Sequence, residues 1–247
     1  MSPGVRDQDR DRVDLSRYHV VLDSALDVDV VDWAGSDPGI ALAAQVSTGS
    51  TSEDGVPELL DYLLRNRHGS PFEHAMVQFR ISAPVFVWRE FMRHRVGVSY
   101  NEQSGRYREM KPRFYLPPGG RDLEQVGRPA DYELRPGSTS LGRLVQEDFF
   151  VVCALAWTAY QHMLVGGAAK EVARMVLPLN VYSTAHVTMN PRSLMHFLSL
   201  RTLSDDAAFP SRPMVEIPQV AYHMEAAFAA LFPGTYAAFV KHGRVAP

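Results

Sequence analysis

A chain of 247 residues, 46% hydrophobic and 21% charged, has the make-up of a globular protein large enough to bury a substantial core. A formal charge of −3 argues against a general nucleic-acid binder, and a lone cysteine, Cys153, excludes an intrachain disulfide. The charged N-terminal stretch has no apolar leader pattern and no run approaches a membrane span, so a cytoplasmic protein with no membrane partner is expected.

Taken in order, residues 1–15 are of mixed charge and expected to be disordered, leaving 16–247 as one domain. A short strand is expected from Tyr18 to Asp23, a helix from Pro38 to Val46, and a second helix from Pro57 to Leu64 with leucines at helical spacing. Ser70-Pro-Phe-Glu-His74 reads as a turn. It leads into a half-buried strand over 75–82, where Val77, Phe79 and Ile81 alternate with Gln78, Arg80 and Ser82. Pro84 to Arg95 is expected to be a helix with its basic residues at the C-terminal end, leaving through Gly97 into a polar loop that runs to Arg106.

Arg113 to Pro117 reads as another short strand, and 118–138 as an exposed, least structured insertion rich in Pro, Gly, Asp and Arg. Helices are expected at 140–164 and 168–176, the latter closed by Pro178, and a strand at 181–189 with Val181, Ser183, Ala185 and Val187 on one face. Asn190 is a good N-cap for a helix over 191–203 with Pro191 in its first turn; a loop at 204–213 and helices near 214–231 and 234–241 finish the chain. Strands and helices mixed without a regular βαβ rhythm favour an α+β fold.

The chemistry concentrates between Arg93 and Arg106: Arg93-His94-Arg95-Val-Gly-Val-Ser-Tyr-Asn-Glu102-Gln103-Ser104-Gly105-Arg106. A cationic helix end beside a serine- and glycine-bearing segment can hold phosphate through forked guanidinium contacts and exposed backbone N–H groups. His68, Glu73 and His74 match no zinc spacing, and no metal is expected. Cys153 lies in the apolar run Phe149-Phe-Val-Val-Cys-Ala-Leu-Ala-Trp157 with no base or cation beside it, so it reads as a core thiol rather than a nucleophile.

Arg-His-Arg, a spacer and Ser104, overlapped by Asn-Glu-x-Ser-Gly-Arg-Tyr, resembles the signature of the flavin-dependent thymidylate synthases. The spacer, Val96 to Gln103, is one residue longer than the family's usual one, and the insertion is placed at Gly97-Val98. His68-Gly-Ser-Pro-Phe-Glu-His74, Pro84 to Arg95, Glu171-Val-Ala-Arg-Met-Val-Leu-Pro178 and Asn190-Pro-Arg-Ser-Leu-Met-His-Phe-Leu-Ser-Leu-Arg201 continue the resemblance in the right order.

The resemblance implies a central, mostly antiparallel sheet flanked by helices, assembled as a homotetramer with sites shared between subunits. It implies conversion of dUMP to dTMP with FAD, NADPH and 5,10-methylenetetrahydrofolate. Carried over residue by residue, it gives Arg201 as catalytic and Glu90, Phe91, Met92, Arg93, Glu102, Gln103, Ser104, Gly105, Arg106, Arg174 and Arg201 for dUMP. For FAD it gives Ser70, Arg93, His94, Arg95, Glu102, Asn190, Arg192 and His196. His196 stands where some members have asparagine, and the loop after Arg201 lacks the histidine that members often keep there. Two other readings compete: a relative that binds nucleotide and flavin without turnover, and an RNA-binding module, which the net negative charge disfavours.

Overall fold

A computed structural model of the chain describes residues 20–49, 54–129 and 131–247. The expected disordered tail and the first residues of the strand expected from Tyr18 lie outside the described residues. The chain is α+β and divides into two compact units, one of residues 25–104 with 182–247, the other of residues up to 24 with 105–181.

The first unit is built on a four-stranded antiparallel sheet in the order β2-β3-β8-β4. Its inner strands are β3 (Met76–Pro84) and β8 (Tyr182–Met189), paired from Val77↔Met189 to Pro84↔Tyr182. Val77, Phe79, Ile81, Ala185, Val187 and Met189 are all buried, as alternation predicts for a sheet with one face on the core. Two edges were not foreseen. β2 (Asp27–Ala34) runs beside β3 with a bulge between Val30 and Asp32. β4 (Val98–Glu102) pairs with β8 where a polar loop is expected, and its ladder continues in Gln103 N–H donating to Thr184 O at 2.9 Å.

Helices α1 (Asp37–Gln45), α2 (Val56–Arg65), α3 (Val85–Phe91), α6 (Pro191–Arg201), α7 (Ile217–Leu231) and α8 (Pro233–Lys241) complete this unit. α6 starts as its sequence dictates: Asn190 Oδ1 accepts the Ser193 N–H at 2.8 Å, and Pro191 sits in the first turn. α3 stops at Phe91, four residues short of the expectation. Past the helix end the chain turns tightly, with Phe91 O accepting the His94 N–H at 3.1 Å, and the Tyr100 hydroxyl pins this turn by sharing its proton between His94 O at 2.6 Å and Phe91 O at 3.1 Å. α8 is capped from another helix. The buried Asp37 carboxylate accepts from Gly234 N–H at 2.6 Å, Thr235 N–H at 3.1 Å and the Thr235 hydroxyl at 2.6 Å.

The second unit holds a short parallel pair, β1 (Val21–Asp23) with β5 (Arg113–Tyr115), the long helix α4 (Thr139–Val165) and the short α5 (Lys170–Ala173). The helix expected to reach residue 176 tightens after Ala173 into a 3₁₀ turn over 174–176 and ends at Leu177, which Pro178 pushes to extended backbone. The insertion 118–138 is not structureless: β6 (Glu124–Arg128) and β7 (Asp131–Arg135) form an antiparallel hairpin. Gly127, at φ +123°, permits it, since a Cβ there would meet Asp131 O at 2.5 Å. The expectation that no run approaches a membrane span also needs correction. By length and composition α4 could cross a bilayer. Its apolar side chains divide into a buried stripe (Cys153, Ala154, Trp157, Tyr160) and an exposed one (Leu144, Val151, Val152, Leu155).

Candidate active site

In the sheet unit, the signature segment is anchored to the start of α6. Ser193 Oγ donates to Val96 O at 2.8 Å, and Gly97 turns the chain at φ +64°. A Cβ at Gly97 would meet Ser193 Oγ at 2.3 Å, so the position of the extra residue falls where only glycine fits.

The far end of α6 carries Arg201 into a cluster with two residues from α3 and its exit. Arg201 Nη1 pairs with Glu90 Oε1, and Arg201 Nε donates to His94 Nε2 at 3.0 Å. The Arg201 and Glu90 side chains are only 17% and 18% exposed. His94 is buried against Phe197, with ring centroids 4.9 Å apart, and meets His196 edge-on at 5.7 Å. Burial, then the positive charge of Arg201 and the neighbouring His196, hold His94 down to about 4, so the imidazole is neutral near pH 7.

On either side of His94, Arg93 and Arg95 are exposed, and neither side chain has a hydrogen bond or ion pair with any described residue. Two unneutralised guanidiniums within three positions suit an anionic ligand such as a pyrophosphate. Met92 follows the helix end and Phe91 is buried against Phe197 and Tyr100. Glu102, on β4, accepts from the hydroxyl of Ser183 on β8. Sequence reasoning placed Ser183 on one face of its strand but gave it no role, although a serine at a core-facing position of an alternating strand is a signal for one. Nothing in the sequence marked Tyr100.

At the near end of α6, Arg192 is already engaged. Its Nη1 meets Glu73 Oε1 at 2.6 Å and its Nε donates to Pro247 O at 2.9 Å. Ser70 and Glu73 share the 3₁₀ turn Ser70–Glu73. Ser70, Glu73, Asn190 and Arg192 thus gather at the start of α6 and Glu90, His94 and Arg201 at its end, with His196 midway along it against the His94 ring.

Gly105, Arg106 and Arg174 fall in the second unit, so the expected dUMP residues divide between units. There Arg106 Nε lies 3.2 Å from Glu171 Oε2, and Arg174 is exposed with no ion pair among the described residues. Gly105 is buried against the Arg174 stem, where a Cβ would come within 3.1 Å of Cδ. Cys153 is 1% exposed, accepts from Asn180 Nδ2 at 3.2 Å, and burial pushes its thiol up, with the Asn180 contact a smaller opposing effect. No thiolate is prepared there for attack.

The sheet unit thus holds an arginine fixed by a carboxylate and a neutral histidine, with the exposed guanidiniums of Arg93 and Arg95 on either side of that histidine in the chain, and the one thiol is not activated. Comparison with known proteins narrows the class. The family model for thymidylate synthase complementing protein matches residues 29–234. A flavin-dependent thymidylate synthase of Streptomyces avermitilis is 50% identical over 236 residues, covering 91% of this chain and 94% of the relative. Its counterpart in Thermotoga neapolitana is 38% identical over 90% and 94% of the two chains. The solved structure of a UMP/dUMP methylase from Streptomyces cacaoi bound with 5-Br UMP superposes with a TM-score of 0.87, at 45% identity, covering 92% of this chain and 99% of that one. The chain belongs to the flavin-dependent thymidylate synthase family.

Proposed function

We propose that the protein methylates dUMP reductively to dTMP, with 5,10-methylenetetrahydrofolate as one-carbon donor, NADPH as reductant and FAD as the bound redox cofactor. The observation that carries this reading is the cluster at the end of α6, where Arg201 meets Glu90 and His94 beside the open cations Arg93 and Arg95.

The residues fit the cofactor: Arg93 and Arg95 offer charge for a pyrophosphate, Asn190, Arg192 and His196 offer polar groups along α6, and Ser70 and Glu102 offer theirs from the 70–73 turn and from β4. When bound, the flavin supplies the hydride chemistry. Arg201 favours negative charge on a uracil ring and raises electron density at C5, without acting as a base, because a guanidinium stays protonated. Arg106 and Arg174 are assigned to the nucleotide phosphate, with Gln103, Ser104 and Gly105 beside them in sequence. Relatives named as enzymes at this level of identity leave the non-catalytic reading without support.

Residues 16–247 act as one functional domain in a cytoplasmic homotetramer whose subunits share sites. The exposed apolar stripe of α4 supports assembly, as do exposed Val172, Met175 and Val176 around Arg174, since apolar side chains in such number favour burial by another copy. Flavin loading tests the reading. The purified protein is expected to bind FAD with a visible absorption band that NADPH bleaches and dUMP perturbs. A folded protein that takes up no flavin would overturn it.

A further inference from the structure

We propose that His94 is a positioning residue for Arg201: its neutral imidazole accepts the Arg201 Nε–H while Glu90 holds Nη1, leaving Nη2 for the ligand. The inference rests on the thymidylate synthase reading but departs from the assignment of His94 to flavin. Its basis is geometric. An arginine Nε always carries hydrogen, so at 3.0 Å His94 Nε2 must be the acceptor, and the imidazole proton sits on Nδ1. Phe197 walls the ring at 4.9 Å, and the Tyr100 hydroxyl fixes the backbone by donating to His94 O at 2.6 Å. Arg201 Nη2 has no partner among the described residues.

Positioning matters here because a guanidinium acts by direction as well as charge: its planar fork must lie in the plane of the group it polarises. Two anchors, on Nε and Nη1, fix that plane. The groups facing His94 are Arg201 and His196 from α6, Glu90 from α3 through Arg201, and Tyr100 from β4. Protonation of His94 turns the acceptor into a cation facing a cation, so acid should loosen Arg201.

Two substitutions separate positioning from flavin binding and from mere packing. His94→Phe fills the space without an acceptor; His94→Gln keeps a neutral acceptor that does not titrate. With native enzyme assayed alongside, His94→Phe is expected to lower kcat about tenfold or more, the scale of one lost charge-assisted hydrogen bond, with KM for dUMP little changed. His94→Gln should recover most of that loss and, at pH 4, where about half of the native imidazole is protonated, keep a larger share of its activity than the native enzyme does. Both should keep their full flavin absorbance. Equal kcat in the two variants, or loss of flavin from His94→Gln, would overturn the proposal. If His94→Phe does not fold, a Gln variant with the native pH profile overturns it as well. Native enzyme that forms no dTMP would instead defeat the underlying reading.

Discussion

Replacing Glu90 with glutamine tests how Arg201 is held, at a site where the structure sets the size of the effect. Glu90 and Arg201 are too shielded to behave as a surface pair, and too accessible for the penalty of a fully buried one. Glutamine keeps the length and one acceptor oxygen and removes only the charge. The change is therefore from a charge-assisted to a neutral hydrogen bond, a loss of about 1–1.5 kcal/mol. If that bond orients Arg201 for the reaction, kcat should fall roughly 5- to 12-fold. Glu90→Ala loses the acceptor altogether, and should cost about 1.5–3 kcal/mol, or roughly 10- to 150-fold. Steady-state dTMP formation at saturating NADPH and folate donor, with dUMP varied, measures both variants. Alanine and glutamine variants both within twofold of native kcat would refute the claim that Glu90 orients Arg201.

The remaining predictions concern phosphate, folding and pH. Arg174→Ala should raise KM for dUMP with kcat nearly kept, because a phosphate is equally charged in substrate and transition state, whereas Arg201→Lys should act mainly on kcat; dUMP kinetics distinguish the two. Asp37→Ala strips the cap from α8 and leaves three donors near Gly234 and Thr235 without their acceptor. It should cost about 2–4 kcal/mol, read as a thermal midpoint lowered by roughly 5–15 °C, and Asp37→Asn should cost less. His94 sits at about 4 in the folded chain against 6.5 when unfolded, so between those values the unfolded chain binds more protons and stability falls as pH falls. The full effect is on the order of 3 kcal/mol, present above pH 6.5 and lost by pH 4, and denaturant melts of His94→Gln should lack that share of the slope.

Much of the sheet was legible because burial leaves a mark. The alternation at Val77, Phe79 and Ile81, and the Asn190-Pro191 start of α6, led directly to β3 and α6. β4 was hidden because Val98-Ser-Tyr-Asn-Glu102 carries little apolar signal, and what makes it a strand is the free edge of β8. The 124–135 hairpin was hidden by charge and by Gly127, which reads as a breaker until its close approach to the partner strand is seen. In the site, residue types were visible and their partners were not. His94 looked like one polar residue of a cationic run, and Arg201 lies 107 positions away. Periodicity carries no information on such pairings, and the arginine cluster would have served phosphate of many kinds. Family resemblance narrowed that choice.

The central claim is reductive methylation of dUMP without a cysteine nucleophile, and removing the thiol tests it most directly. Cys153→Ala, loaded with FAD and supplied with NADPH and 5,10-methylenetetrahydrofolate, is predicted to form dTMP from dUMP at a rate close to native. The buried thiol touches Asn180, so its loss should show only as a stability change of about 1–2 kcal/mol. A folded, flavin-loaded Cys153→Ala protein that forms no dTMP would contradict the account.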